Sequence, residues 1–306
     1  MVPARVQRHD LRRIDWMSEG ESSPEFKAIQ AKPPFFKYLA QTWQRLPFAA
    51  YLAWYQVFTA NARTKVGLGW VVLRPLLNAG VYGIIFGLLL GNSRPENYIS
   101  FLITGVFLFE FFASTLKGGA VAVIHNESLI KTISFPRLAL PLSTVIREFI
   151  NIAFVLLVLI VLLVLMPVRH EGHWQLANTV TPSWFLIIPI MAVYILFCFG
   201  IASFCARLTV HFRDFTSFLP FIQRLMMYGS GVIFALENLL SEYQTALDIL
   251  RLNPVHSFLA LARGAFLTEY PVLTQDWIVI LVATAIVLPV GVVYFWRGEQ
   301  IYGRSE

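Results

Sequence analysis

FINIAFVLLVLIVLLVLMPV, residues 149–168, contains no charged residue. A helix rises about 1.5 Å per residue, so about 20 apolar residues cross a hydrocarbon core of roughly 30 Å. The stretch meets that length alone, as the body of a span that opens near Leu138 and closes at Met166 (138–166). Working outward, the same test picks out five more spans. Toward the C-terminus lie 184–206, which is uncharged, and 215–236, interrupted by Pro220, Arg224, Gly229 and Gly231. Beyond them 277–296 carries Trp277 and Trp296 at its ends, where aromatic rings sit at the headgroup level. Toward the N-terminus lie 98–116, which contains Glu110, and 67–91, which contains Arg74. The sequence predicts an all-α integral membrane protein with six transmembrane helices in a domain over 67–306.

Composition points the same way. Of 306 residues, 57% are hydrophobic, 15% aromatic and 14% charged, and mean hydropathy is +0.64. A soluble chain is nearer a quarter charged, so there is too little polar surface here to cover a soluble core. Cys198 and Cys205 share one apolar segment and supply neither a disulfide framework nor a metal-ligand spacing. Lys and Arg crowd 1–66, 117–137, 207–214 and 297–306, whereas 92–97, 167–183 and 237–276 hold only Arg94, Arg169, Arg251 and Arg263. The positive-inside rule then puts both termini on the cytoplasmic side of the membrane. The net charge of +6 belongs to a surface facing anionic lipid, not to nucleic-acid binding.

Residues 1–30 lack the apolar core of a signal peptide, and 1–34 reads as a flexible cytoplasmic tail. Residues 35–66 read as a cytoplasmic interfacial region. Phe35 to Ala60 is rich in aromatics but punctuated by Lys37, Gln41, Gln44, Arg45, Pro47 and Gln56. That pattern predicts an N-terminal amphipathic helix lying in the inner interface, a buried soluble helix being the alternative. In the first span Gly83, Gly87 and Gly91 stand four apart and offer a smooth packing seam. Charges inside spans are costly and default to functional readings. Arg74 can snorkel to the inner headgroups, and Arg147 and Glu148 sit just ahead of the uncharged window. Glu110 and Arg224 lie deep in spans two and five, which favours a pathway or inter-helix role.

Between spans two and three, His125 to Arg137 is too polar to cross. Leu129, Ile130, Ile133 and Phe135 predict an apolar face on a short helix ended by Pro136, either a docking knob for another protein or an ordinary interfacial turn. Between spans five and six the connection is long for a structureless loop. Its patches Ala246 to Leu252 and Phe258 to Leu267 are too short to cross. They predict two short re-entrant helices dipping into the outer leaflet, with Asn253-Pro254 as the turn. No Gly-Lys dipeptide occurs, so no P-loop cradles a nucleotide. His170-Glu171-Gly172-His173 lacks the zinc-protease spacing and reads as a solvated turn. No nucleophile elbow, Cys-x-x-Cys or paired-carboxylate motif stands out. The chain reads as non-catalytic, without a cofactor or metal of its own.

Four motifs in order carry a family resemblance. Arg63-x-Lys65-x-Gly67-Leu68-Gly69-Trp70, then Arg74-Pro75-Leu76, leads into the first span. Leu129-Ile130-Lys131 and Phe135-Pro136-Arg137 are followed by Leu140-Pro141-Leu142; Phe212-Arg213-Asp214 opens span five; Leu252-Asn253-Pro254 precedes Arg263. Together they resemble the permease subunit of type-two ABC transporters that export O-antigen, teichoic acid and other cell-envelope polysaccharides. Two positions depart from that pattern: Tyr228-Gly229-Ser230-Gly231 replaces a frequent Ser-Pro, and Glu110 stands where an aromatic is usual.

The resemblance implies a homodimeric channel above two separate ATP-binding cassette subunits, which hold the ATP and Mg. It makes Leu129, Ile130, Lys131, Phe135, Pro136 and Arg137 the segment that docks on the ATPase, and the N-terminal interfacial helix a gate beside the lipid access route. It makes the 253–263 region part of the paired re-entrant helices. The cargo it implies is a glycan on undecaprenyl pyrophosphate, moved among membrane lipids. Arg63 and Lys65 then either attract that pyrophosphate or serve as ordinary positive-inside anchors, with Trp70 and Arg74 close by. Sugar rings stack on aromatic faces, so Tyr82, Phe86, Phe107, Phe111, Phe218, Phe221 and Tyr228, with Glu110 and Arg224, are candidates to line the path. Rival readings are a type-two permease for drugs or lipids, a membrane glycosyltransferase or polymerase, and an ion-coupled transporter relaying through Glu110 and Arg224.

Overall fold

The computed structural model describes residues 33–60, 62, 64–91, 94–166, 168–170, 173–175, 180–239, 242–300 and 302. Almost all of the tail assigned to 1–34 lies outside the described residues, and so does Arg63. In chain order the first helices are α1 (Phe35–Gln44), α2 (Leu46–Ala60), α3 (Gly69–Leu89), α4 (Tyr98–Val121), α5 (Glu127–Thr132) and α6 (Ala139–Leu165). Then follow α7 (Ile187–His211), α8 (Phe215–Gly229), α9 (Leu236–Leu239), α10 (Gln244–Arg251), α11 (Pro254–Phe266) and α12 (Thr274–Arg297). A small antiparallel hairpin joins α6 to α7: β1 (Val168–His170) pairs with β2 (His173–Gln175), with His170 and His173 paired in the backbone register.

Five helices (α3, α4, α6, α12, and α7 with the 3-10 turn at Pro182–Leu186) are long and apolar enough to cross a membrane. The chain is a multi-pass membrane protein. The centre is α4, which packs against α3, α6, α7, α8 and α11. Phe111 meets Tyr194 of α7 at 5.2 Å, and Tyr194 stacks on Phe258 of α11 at 4.3 Å. The tightest pair is α7 with α12, where a Cβ on Gly291 would overlap the Gly200 carbonyl. A second apolar cluster gathers Tyr38, Ile130, Leu138, Phe295 and Tyr302 at the end of the bundle that carries α5.

Several boundaries differ from the sequence reading. The single interfacial helix is two, broken at Arg45, with Pro47 in the first turn of α2, where its missing N–H costs nothing. The fifth segment, read as 215–236, is helical only to Gly229. Fifteen residues make about 22 Å of helix. Gly231, at φ +64, turns the chain out of the helical path, a conformation only glycine adopts freely. The second span runs on to Val121, and α5 stops at Thr132 because Ile133 is already extended. Pro136 does not end α5. It leads into α6, its carbonyl accepting the Ala139 N–H at 3.0 Å. Gly83 and Gly87 face Leu102 and Tyr98 of α4, but Gly91 lies past the helix end at φ +48.

Candidate functional site

A charged helix interior needs partners inside the protein, and the described residues gather them in one place. A cleft of about 310 Å³ opens between α2, α3, α4 and α6. Its walls include Gln56, Trp70, Arg74, Phe107, Glu110, Phe111, Arg147, Glu148 and Asn151. The Arg147 guanidinium donates to Glu148 Oε1 through Nε at 2.8 Å and approaches it through Nη2 at 2.7 Å. Its Nη1 donates to Gln56 Oε1 at 3.2 Å, and Asn151 Nδ2 donates to Glu148 Oε2 at 3.0 Å. Glu110 Oε1 accepts from Ser114 Oγ at 3.2 Å. Gly118 is small for a reason: a Cβ there would sit 2.6 Å from Arg147 Nη2. Arg74 is exposed at the mouth, 6.0 Å from the centre of the Trp70 ring. A second cleft of about 400 Å³ shares the Gln56, Ser114, Arg147 and Glu148 walls and continues past Lys117 and His125.

The structure thus unites Trp70 and Arg74 with Phe107, Glu110 and Phe111. The sequence reading missed Gln56, Arg147, Glu148 and Asn151 as members. The signal was there in one respect: an adjacent Arg-Glu pair ahead of an uncharged window is expensive unless paired. Tyr82 and Phe86 are half-buried on α3 against the core, with Tyr82 within electrostatic reach of Glu110, Arg224 and Tyr228. Phe218, Phe221 and Tyr228 are 55%, 67% and 42% exposed on α8, with Arg224 exposed among them. Within one chain Phe107, Glu110 and Phe111 wall the cleft, Phe218, Phe221, Arg224 and Tyr228 share a bare helix face, and Tyr82 lies within reach of both groups.

At the α5 end, Lys131 pairs with Glu127 at 2.7 Å, both about half exposed. Its hydrogen bond holds the Glu127 carboxyl below the usual carboxylate range. Ile130 is buried and Leu129 and Phe135 are half-buried, whereas Ile133 is 49% exposed. Phe135 rests against Phe48 of α2 at 5.0 Å. Lys65 is exposed in the turn before α3.

At the other end, α10 and α11 are the two short helices expected around Asn253-Pro254. Asn253 Oδ1 caps α11 by accepting the Val255 N–H at 3.0 Å, and its Nδ2 donates to Ser230 Oγ at 2.9 Å. The buried Arg263 donates to the carbonyls of Val232 at 2.9 Å and Phe101 at 3.3 Å, with its guanidinium 3.4 Å over the Phe101 ring. The Leu-Asn-Pro and Arg263 positions are staples that hold the short helices to α8 and α4.

The region 50–267, from within α2 to the end of α11, matches the family model described as ABC-2 type transporter. The chain belongs to the ABC-2 type transporter family. Two proteins of Klebsiella pneumoniae, each named O-antigen export system permease protein RfbA, are similar to it. One is 31% identical over 74% of this chain and 82% of its own length; the other is 32% identical over 73% and 81%. A Myxococcus xanthus protein of the same name is 25% identical over 78% of this chain and 84% of its own. The matched ABC-2 region contains the clefts, α5 and both short helices. In this family the permease is a transport subunit and ATP hydrolysis belongs to a separate partner.

Proposed function

We propose that this chain is the membrane permease of an ATP-driven exporter that moves a lipid-linked cell-envelope polysaccharide out of the cytoplasm. The likeness to O-antigen export permeases over about three-quarters of the chain carries the reading. Two copies meet through the bare faces of α3 and α8, and each copy engages an ATP-binding cassette subunit that holds ATP and Mg. The chain lies in the plasma (inner) membrane with its termini, α1, α2 and α5 on the cytoplasmic side. Residues 35–66 are the interfacial gate region and 67–306 the membrane domain, with α8 as its sixth crossing and α10 and α11 re-entrant at the outer mouth. A tail over 1–34 precedes them.

The physics of the parts fits those roles. On α2, Ala49, Ala53 and Val57 make a flat buried stripe, while Tyr51, Trp54 and Tyr55 stay exposed. That suits a helix lying at a headgroup layer, where amphipathic rings are stable. Lys65 and Arg74 with Trp70, and Arg63 beside them in sequence, are assigned to meet the lipid's pyrophosphate, and the undecaprenyl-linked glycan follows the open aromatic faces of Phe218, Phe221 and Tyr228 with little trapping, Phe107 and Phe111 being enclosed in the core. Leu129, Ile130, Lys131 and Phe135 to Arg137 transmit the ATPase stroke.

The test is co-purification and export with the partner ATPase. Lys131→Glu is expected to weaken retention of the ATPase about tenfold, as for a mispaired interface charge. Full export by the isolated permease without any ATPase contradicts the assignment.

A further inference from the structure

Three stretches far apart in sequence meet behind α5. Tyr38 of α1 donates its phenolic proton to Glu299 Oε2 at 2.5 Å and accepts the Leu138 N–H at 3.0 Å. Glu299 Oε1 accepts the Arg137 N–H at 3.1 Å, and the Arg137 guanidinium donates to the Glu299 carbonyl. These contacts solve a local problem. The Ala139, Leu140 and Leu142 N–H groups that open α6 are taken by the carbonyls of Pro136, Arg137 and Leu138, which leaves the Arg137 and Leu138 N–H groups just ahead of the helix without a local side-chain acceptor. A carboxylate and a phenol from the two ends of the chain accept those two N–H groups, and negative charge near a helix N-terminus is favourable.

The surroundings are dry and aromatic. Tyr38, Leu138 and Tyr302 are each 1% exposed, and Tyr302 lies 4.6 Å from Phe295. Phe35 meets Trp296 at 5.5 Å, and Trp296 Nε1 donates to the Pro33 carbonyl. Burial, reinforced by the Glu299 charge, pushes the Tyr38 phenol well above its usual value, so it stays a donor. On the outward side Ile133, Ser134 and the Lys131–Glu127 pair remain exposed. Arg137 is thus turned inward, engaged by its own chain.

We propose that Tyr38, Arg137 and Glu299 are positioning residues of a transmission joint, which carries displacement of α5 into the α1–α2 pair and so into the cleft that Gln56 and Val57 wall. Arg137 belongs to that joint and not to the ATPase contact. The proposal rests on the functional reading above. Physically, a push on α5 moves Leu138 together with Tyr38, because the buried phenol holds both the Leu138 N–H and the Glu299 carboxylate, and breaking those bonds without a replacement partner is costly. α1 passes the displacement to α2, which packs on α6 beside the Arg147–Glu148 pair.

The test uses the complete permease–ATPase complex in phosphatidylethanolamine–phosphatidylglycerol vesicles. The probe is undecaprenyl pyrophosphate bearing a fluorescent oligosaccharide, and the readout is probe moved per ATP hydrolysed. Tyr38→Phe, which keeps the ring, and Glu299→Gln, which keeps the shape, are each expected to lower that ratio about fivefold. Loss of folded protein alone does not change the ratio, so a drop in yield leaves the result readable. Arg137→Gln is expected to retain the ATPase on co-purification while losing the same coupling. Wild-type movement with unchanged ratios in both variants overturns the joint alone, as does loss of the ATPase from Arg137→Gln. A wild-type complex that shows no ATP-driven movement overturns the functional reading, and the joint with it.

Discussion

Gly69–Leu89 and Tyr98–Val121 are consecutive apolar helices that composition alone makes equals. In the folded chain they are opposites. Of the most apolar window of α4, 83% is buried inside protein; of that of α3, 11%. Leu77, Ile84, Leu88 and Leu89 of α3 are open, whereas Phe101, Phe107, Phe111 and Phe112 of α4 are enclosed. Apolar character says that a helix tolerates lipid; only its neighbours say what it faces. The body formed by α4, α6, α7 and α12 is tightly packed. Against it α3 and α8 are lightly held, with α8 pinned to α4 where Gln223 donates to the Ala113 carbonyl at 2.7 Å. A transporter needs both kinds of helix: a rigid frame, and elements free to move or to meet a second copy.

Substitutions sharpen that contrast, and their effects should fall in a definite order in thermal unfolding of the detergent-solubilised chain. The largest belongs to Arg147→Ala, which strands the buried Glu148 carboxylate and should cost on the order of 3 kcal/mol. Gly291→Ala forces a methyl onto the Gly200 carbonyl and should cost about 2 kcal/mol. Asn253→Ala removes the cap of α11 and its tie to Ser230, at about 1 kcal/mol. Least affected should be Gly83→Ala and Phe221→Ala on the bare helices, at under about 0.5 kcal/mol, yet Phe221→Ala should still lower export by the assembled complex. If the α3 and α8 variants destabilise the chain as much as those in the body, the division between frame and lightly held helices is wrong.

Sequence patterns resolved some of this and not the rest, for physical reasons. The uncharged run at 149–168 made α6 legible, because desolvation leaves such a stretch few alternatives. The two short helices around Asn253-Pro254 were legible too, since apolar patches too short to cross must bury their faces against protein, although the pair proves to be the cap and first residue of α11 and not a separate turn. The end of α8 at Gly229 depends on the positive φ of Gly231, and composition does not report which glycine will use that freedom. The cleft was half legible: Glu110 and Arg74 stood out as charges in apolar company, but Gln56 reaches Arg147 across 91 positions. The Tyr38–Glu299 contact spans 261. Such pairings come from tertiary packing and leave no local periodicity. Arg137 shows the hazard most plainly, since a basic residue in a segment read from sequence as a docking motif is held from behind by its own chain.

The most direct check is the sidedness of α5. Cys198 and Cys205 are both buried, so a cysteine placed at exposed Ser134 reports with little background. A membrane-impermeant maleimide should label Ser134→Cys in inside-out vesicles and not in intact cells, while Asn238→Cys, beyond α8, should label in intact cells. Labelling of Ser134→Cys from outside would put α5, the proposed docking segment, across the bilayer from any ATPase and contradict the account at its root.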